Sequence, residues 1–147
     1  MTTDLVIRAI GTPARQGSKD FKGMRGGRPI FVESDEKLPE WRVAVVAAAE
    51  SAMLAAGWIR EDGPVETWIE VFIERPPNVT RPYPDRKLDG DGDKYDRAVH
   101  DALKIAGVYA DDARVVDHHC SKRWAAPAQE PGARIRVRAL NSQEALL

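Results

Sequence analysis

The segment from Pro64 to Arg75, PVETWIEVFIER, constrains the fold of this chain most strongly because its side chains alternate. One set of positions is apolar or small, and the other carries three glutamates with Trp68 and Phe72 among them. This period of two is typical of a β-strand with one buried face. Prolines at positions 76, 77, 82 and 84 predict an extended loop after it. The chain must therefore supply a second layer that covers one face of a sheet.

Two segments have the helical spacing that such a layer needs. Apolar side chains recur every three or four residues from Leu38 to Ala52, and again within Lys94–Ala106. The predicted helix ends are Ser34 or Asp35 as the first N-cap, Pro39 in the first turn, and Gly57 and Gly107 after the two helices.

Shorter apolar or alternating runs predict further strands at Asp4–Ile10, Pro29–Glu33, Ala113 towards Trp124, and Ala133–Leu140. The glycine-rich basic stretch of about residues 11–29 is predicted to be a loop, and the tail 141–147 to be frayed. The order β-β-α-β-α-β-β predicts an α+β fold, a small mixed β-sheet with two packed helices, in a single domain of residues 1–147.

The bulk composition indicates a folded, soluble protein. Hydrophobic residues make up 43% and charged residues 31% of the chain, which excludes a disordered polymer. No apolar run approaches the roughly 20 residues that span a bilayer, and the N-terminus has no secretory pattern. Cys120 is the only cysteine, so it cannot form an internal disulfide. We therefore expect a cytoplasmic protein with no membrane partner.

Aspartates are concentrated in an acidic segment, residues 85–117. It holds nine of the 23 acidic residues and no glutamate. Crowded carboxylates repel one another, so they must either face water or surround a cation. Asp91 and Asp93 form an Asp-x-Asp step in which both side chains would point the same way if the backbone is extended. Asp93 also suits the N-cap of the second helix.

Asp112 can join this pair only if the chain folds back and brings Asp112 near Asp91 and Asp93. A strand after Asp112 that pairs beside the strand ending near Arg75 would do so, but spacing alone leaves this open. Arg97 lies one helical turn after Asp93, where its guanidinium can grip a phosphate or form an ordinary surface ion pair.

Other metal sites fit the sequence less well. The run Asp89-Gly90-Asp91-Gly92-Asp93 opens like an EF-hand loop, but Lys94 and His100 occupy its required glycine and glutamate positions. His118 and His119 are adjacent on a predicted strand, so they should face opposite ways. Cys120 is predicted to be a small buried hydrophobe.

The predicted loop of residues 11–29 is basic. It carries Asp20 as its one acid against five cations, Arg15, Lys19, Lys22, Arg25 and Arg28. Such a loop can contact phosphates, and an ordinary solvated surface loop is an equally good interpretation.

Taken as a whole, GDGDKYDRAVHDALKIAGVYADDARVVDHHCSKRW resembles the RusA family of Holliday junction resolvases. The match begins with the Asp-x-Asp step and keeps its spacing through about 35 residues. The residues that carry it are Asp91, Asp93, Asp101-Ala102-Leu103, Asp111-Asp112, Val115-Val116 and Lys122.

The resemblance implies a homodimeric, Mg²⁺-dependent endonuclease, with Mn²⁺ as a substitute ion, that cuts two opposed strands of a four-way DNA junction. It implies roles in recombination and repair, a prophage origin, and Asp91, Asp93 and Asp112 as metal ligands. Arg97 would complete the catalytic set. The implied DNA contacts are Arg15, Lys19, Lys22, Arg25, Arg28, Lys94 and Lys122.

Two positions depart from the family pattern. Lys94 stands where the family has asparagine, and Arg97 where it has lysine. Arginine keeps the positive charge but cannot release a proton. The alternative function is therefore a junction-binding protein with impaired catalysis. A third interpretation of the acidic segment is a metal-binding domain with no nucleic acid partner.

Overall fold

A computed structural model describes residues 4–17, 19–33 and 35–140. Its main sheet has the strand order β1-β6-β4-β5. The strands are β1 (Asp4–Ile10), β4 (Val65–Ile73), β5 (Val115–Trp124) and β6 (Gly132–Ala139). β4 runs parallel to β5, and the other two pairs are antiparallel. The predicted α+β fold with a mixed sheet and two helices is confirmed.

The two helices, α1 (Leu38–Ala56) and α2 (Gly92–Ala106), lie close to their predicted positions. Each ends at its predicted glycine, which adopts a left-handed conformation with φ of 67° at Gly57 and 84° at Gly107.

The predicted N-caps were wrong. Lys37 caps α1, and Asp35 instead accepts hydrogen bonds from the backbone N–H groups of Arg15 and Lys37. Ser34 lies outside the described residues. Asp91 rather than Asp93 is the N-cap of α2, since the helical backbone already begins at Gly92.

The basic stretch is not one loop. Its second half forms β2 (Lys19–Arg25), which pairs antiparallel with β3 (Arg28–Glu33) in a hairpin separate from the main sheet. Gly26 and Gly27 form the turn, with φ of 58° and 75°. Two consecutive residues with positive φ fit a tight hairpin turn, which is why this Gly-Gly pair joins two strands.

The core lies between one face of the main sheet and the two helices. Val65, Thr67, Ile69 and Val71 of β4 are buried, as the alternation predicted. Trp41 of α1 belongs to the same cluster, together with much of the apolar face of α2. On the opposite face of β4, Trp68 is half-buried beneath the guanidinium of Arg136, 4.6 Å from its ring centre. One face of the sheet is therefore packed into the core, and the other is polar.

The tail 141–147, predicted to be frayed, lies outside the described residues. Within the described part of the chain, no helix is long and apolar enough to cross a membrane.

Candidate active site

The crossover from β4 through α2 to β5 brings the start of α2 close to the residues that precede β5. A cavity of about 340 Å³, here called the histidine cavity, opens between them. It is lined by Asp93, Asp96, Arg97, His100, Asp112, Val115 and His118. β5 pairs beside β4, and Asp112 does return to Asp93. The sequence left that step open.

Asp91 lies on the other side of the same helical turn. It lines a smaller cavity of about 180 Å³, here called the lysine cavity, together with Arg15, Lys87 and Lys94. Asp91 Oδ2 is 3.7 Å from Lys94 Nζ. The expectation that Asp91 and Asp93 point the same way required an extended backbone. It was wrong because Asp93 is already inside the helix, where each residue turns by about 100°.

The carboxylates of Asp93 and Asp112 have no cationic partner in the part of the chain that the structure describes. No ion pair there joins either of them, or Arg97, to another residue. Two uncompensated carboxylates on one cavity fit a hard divalent ion, since oxygen ligands are what such ions prefer. Among the described residues, however, no three Asp, Glu, His or Cys side chains are close enough to hold a metal. Asp91 in particular does not join the pair in this structure.

Sequence reasoning missed a network around Asp96. Its Oδ2 is 3.3 Å from His118 Nδ1, and its Oδ1 is 3.1 Å from His100 Nδ1. The His100 and His118 rings meet edge to face with centres 5.6 Å apart. Two signals could have found this network: the i,i+4 spacing of Asp96 and His100 on α2, and strand alternation that turns His118 towards the helix.

The two residues that follow His118 in the chain behave differently. His119 faces the other side of the sheet and stacks on Trp68 with ring centres 5.7 Å apart, so the predicted opposite orientation of the two histidines is confirmed. Cys120 is exposed. The prediction of a buried cysteine was wrong because β5 is an edge strand whose side chains are mostly accessible.

The loop before α2 is held by an ion pair that the sequence did not reveal. Arg81 forms two side-chain hydrogen bonds with the Asp89 carboxylate, one of them 3.0 Å long. Asp89 also accepts a hydrogen bond from the backbone N–H of Arg86. The hydrogen bonds from Arg81 have the largest effect. Together with the bond from Arg86, they hold the pKa of the Asp89 carboxyl below its usual range. Asp89 is therefore a structural carboxylate already neutralised by arginine.

Two more hydrogen bonds fasten this loop to its neighbours. Tyr95 donates from its hydroxyl to the Asp89 carbonyl at 2.6 Å, and Lys122 Nζ donates to the Gly90 carbonyl at 2.7 Å. Gly90 has a φ of 94°, and a side chain there would collide with Arg15 and Tyr95. Lys122, an implied DNA contact, thus positions the backbone just before α2.

The other implied DNA contacts are spread over several elements. Lys94 and Arg15 line the lysine cavity, where Arg15 is also anchored to Asp35. Arg25 and Arg28 are exposed at the tip of the β2–β3 hairpin. The side chains of Lys19 and Lys22 lie outside the described residues.

The rest of the polar face of α2 is occupied by ion pairs. Arg42 of α1 is 3.4 Å from Asp101, and Lys104 is 3.6 Å from Asp111. Asp101, the acid of the matching Asp-Ala-Leu motif, therefore helps to join the two helices.

Comparison with known proteins matches residues 11–138 to the family model described as endodeoxyribonuclease RusA. The chain belongs to the RusA family. This membership identifies it as an endodeoxyribonuclease of the class that resolves Holliday junctions. The matched range covers both cavities and all of the residues that carried the resemblance.

Two other comparisons add little to the family assignment. No curated protein matches the sequence. Among solved structures, the chain is similar to the protein Atu1372 of unknown function from Agrobacterium tumefaciens, at 11% identity and a TM-score of 0.37. That similarity covers 91% of this chain and 80% of the other.

Proposed function

We propose that this RusA-family chain is an Mg²⁺-dependent nuclease that resolves four-way DNA junctions by paired, symmetric strand cuts. The observation that carries the proposal is the pair Asp93 and Asp112, whose uncompensated carboxylates share the histidine cavity with Arg97. Family membership supplies the nuclease class, and this cavity supplies a place for the chemistry.

In this proposal Asp91, Asp93 and Asp112 are the ligands of one or two Mg²⁺ ions, with Mn²⁺ as a substitute. A bound ion would supply a nucleophilic water and offset charge on the phosphate. Asp93 and Asp112 line the same cavity, which supports this role, whereas Asp91 lies beside Lys94 and must move to take part. Arg97 binds the scissile phosphate, because a guanidinium matches two phosphate oxygens at once.

The basic residues bind the DNA arms in this proposal. Arg25 and Arg28 at the hairpin tip reach outwards, while Arg15 and Lys94 lie beside the cutting site. Lys19, Lys22 and Lys122 complete the set that we propose to contact DNA. Their spread over the hairpin and α2 suits a branched duplex, which presents phosphates in several directions.

A homodimer is the natural assembly for this activity, because one site cuts one strand and two-fold symmetry supplies the second cut. β5 offers a place for assembly, since it is an edge strand of the main sheet and its side chains are largely exposed. Analytical ultracentrifugation of the protein alone and with junction DNA tests this part of the proposal. A monomer at every concentration, with or without junction DNA, would overturn it.

The test of activity uses a labelled four-way junction with Mg²⁺ and compares the native chain with Asp93→Asn. We expect paired symmetric nicks from the native chain, and junction binding without cutting from the variant. The alternative function, a junction-binding protein with impaired catalysis, is favoured by arginine at position 97. Binding without cutting by both proteins, with Mn²⁺ as well as Mg²⁺, would establish that alternative.

A further inference from the structure

The proposed site lacks an obvious proton donor. Cutting a phosphodiester leaves an alkoxide, which departs faster when a side chain protonates it. Arg97 cannot serve, because its guanidinium stays protonated in proteins. Resting on the proposed function, we infer that His118 is the general acid for the leaving oxygen and that Asp96 positions it.

His118 has the right location for this role. It lies on β5 and lines the histidine cavity with Asp93, Arg97 and Asp112. Its side chain is 56% exposed, so its ring can reach a bound phosphate. Histidine is also the side chain that exchanges protons most readily near neutral pH.

Asp96 fixes the orientation of that ring. Its carboxylate is only 14% exposed and lies 3.3 Å from His118 Nδ1. A carboxylate behind an imidazole selects the nitrogen that faces the substrate, which here is Nε2. No described residue forms a hydrogen bond with His118 Nε2, so that atom is available to the substrate.

His100 does not compete for this role, although it shares the carboxylate. Its Nδ1 donates to the Asp96 carbonyl at 3.0 Å, and its Nε2 is 2.8 Å from the hydroxyl of buried Thr67. Both of its ring nitrogens are therefore occupied. Oδ1 of Asp96, on the His100 side, is buried and accepts no hydrogen bond from another described residue, while Oδ2 is the oxygen that lies beside His118 Nδ1.

The balanced step is a hydrolysis. The oxygen of a water molecule bonds to phosphorus as the bond from phosphorus to the leaving oxygen breaks. The leaving oxygen takes the proton from Nε2 of the His118 imidazolium, the proton released by the water passes to solvent, and solvent restores the imidazolium. The charged and titratable groups around His118 are Asp96 and His100, then Asp93, Arg97 and Asp112 on the cavity wall, and Cys120 on its own strand face.

The deciding experiment changes the leaving atom. Two junctions are compared, one with oxygen and one with sulfur at the bridging position of the leaving group. The product end that keeps the phosphate identifies this position. The native chain, His118→Ala and His119→Ala are each tested on both junctions. Sulfur departs without a proton. We expect His118→Ala to cut the oxygen junction about 10²-fold more slowly and the sulfur junction at close to the native rate.

His119→Ala is the matched control, because His119 is the next residue, also lies beside an aspartate, and faces away from the cavity. It should cut both junctions as the native chain does. Equal slowing of His118→Ala on both substrates, no slowing on either, or loss of junction binding would overturn the inference alone. A native chain that cuts neither substrate would instead overturn the proposed function and this inference with it.

A second readout needs neither metal nor DNA. Nitrogen-15 spectra of the histidine rings should show Asp96→Asn moving the Nδ1 resonance of His118 and leaving His119 unchanged. An unchanged His118 resonance would contradict the positioning role of Asp96. Melting curves confirm that each variant is folded.

Discussion

The two cavities beside the first turn of α2 differ in how their carboxylates are balanced. In the lysine cavity, Asp91 is close to Lys94 and shares the walls with two more cations. In the histidine cavity, Asp93 and Asp112 have no described cationic partner, although Arg97 lines the same wall. Two aspartates that are separated by one glycine thus belong to opposite electrostatic environments.

The Asp-x-Asp motif suggests that both aspartates bind one ion, but their surroundings suit them to two different roles. A compensated carboxylate among lysines leaves a net positive surface, which suits a DNA phosphate. A pair of uncompensated carboxylates suits a cation. Gly92, where the helix begins, is what divides them.

The largest expected effect is on catalysis. Asp93→Asn and Asp112→Asn should each slow junction cutting by at least about 10³-fold, since each removes charge from the proposed ion site. Asp91→Asn should slow it less, by about tenfold, because Asp91 lies beside Lys94 and is the proposed ligand that must move to reach the ion. Single-turnover cutting rates at saturating Mg²⁺ measure all three.

Junction binding by the same variants, measured in Ca²⁺ to prevent cutting, is the control and should be retained. Equal losses of activity in all three variants would break the comparison. They would mean that all three carboxylates contribute equally to the ion site when DNA is bound.

Stability provides the next effect, since the Arg81–Asp89 pair holds the loop before α2. Asp89→Asn should lower the melting temperature by roughly 5–10 °C at neutral pH, because it removes the closest carboxylate of a largely buried arginine and leaves it only the exposed Asp85, 3.8 Å away. The exposed pair of Arg60 and Asp62 is the matched control. Asp62→Asn should change the melting temperature very little.

The difference in melting temperature between the native chain and Asp89→Asn should shrink as the pH falls. The pKa of Asp89 is depressed in the folded protein. Its contribution to stability is therefore present above the pKa of the unfolded chain and is lost as the pH falls through the lower folded value. Melting curves of the native chain and Asp89→Asn should converge under acid. A constant gap down to strongly acidic pH would show that the carboxylate charge is not what stabilises the loop.

A smaller effect should separate the lysine cavity from the rest of the surface. Replacing both Lys87 and Lys94 by alanine should weaken junction binding about tenfold. The slope of log affinity against log salt should fall by about 0.9 for each lost phosphate contact. Arg60→Ala removes a cation elsewhere on the surface and is the control. An unchanged slope would exclude the lysine cavity as a phosphate contact.

The smallest effect concerns Lys122, which bonds to the Gly90 carbonyl. Lys122→Met should cost about 1 kcal/mol of unfolding free energy, the typical net value of one hydrogen bond, as measured by denaturant titration. If Lys122 also reaches DNA, as proposed, the salt slope of junction binding falls as well. A fall in slope without loss of stability would mean that the hydrogen bond to Gly90 contributes nothing.

Local patterns predicted the elements well, because β4 and α2 each bury a face whose period is visible in the chain. β3 was predicted, but β2 and its hairpin with β3 were missed, since Gly26-Gly27 among cations has the composition of a loop. Asp91 and Asp93 line different cavities because α2 begins at Gly92. The sequence pattern placed the start of this helix at Lys94, which would leave both aspartates in extended backbone with their side chains pointing the same way. Helix and strand periods could have indicated which way Asp96 and His118 face, but the packing of β5 beside α2 that joins them, like the loop that joins Arg81 to Asp89, is visible only in the folded chain.

The histidine cavity has walls that are distant in sequence, because α2 separates Asp93 from Asp112. During synthesis, a ribosome-bound chain that ends within α2 has the first carboxylate and lacks the second. Under the proposed function, cutting competence arises only after α2 has docked and β5 has joined β4. A nascent or partly folded copy would leave cellular DNA uncut.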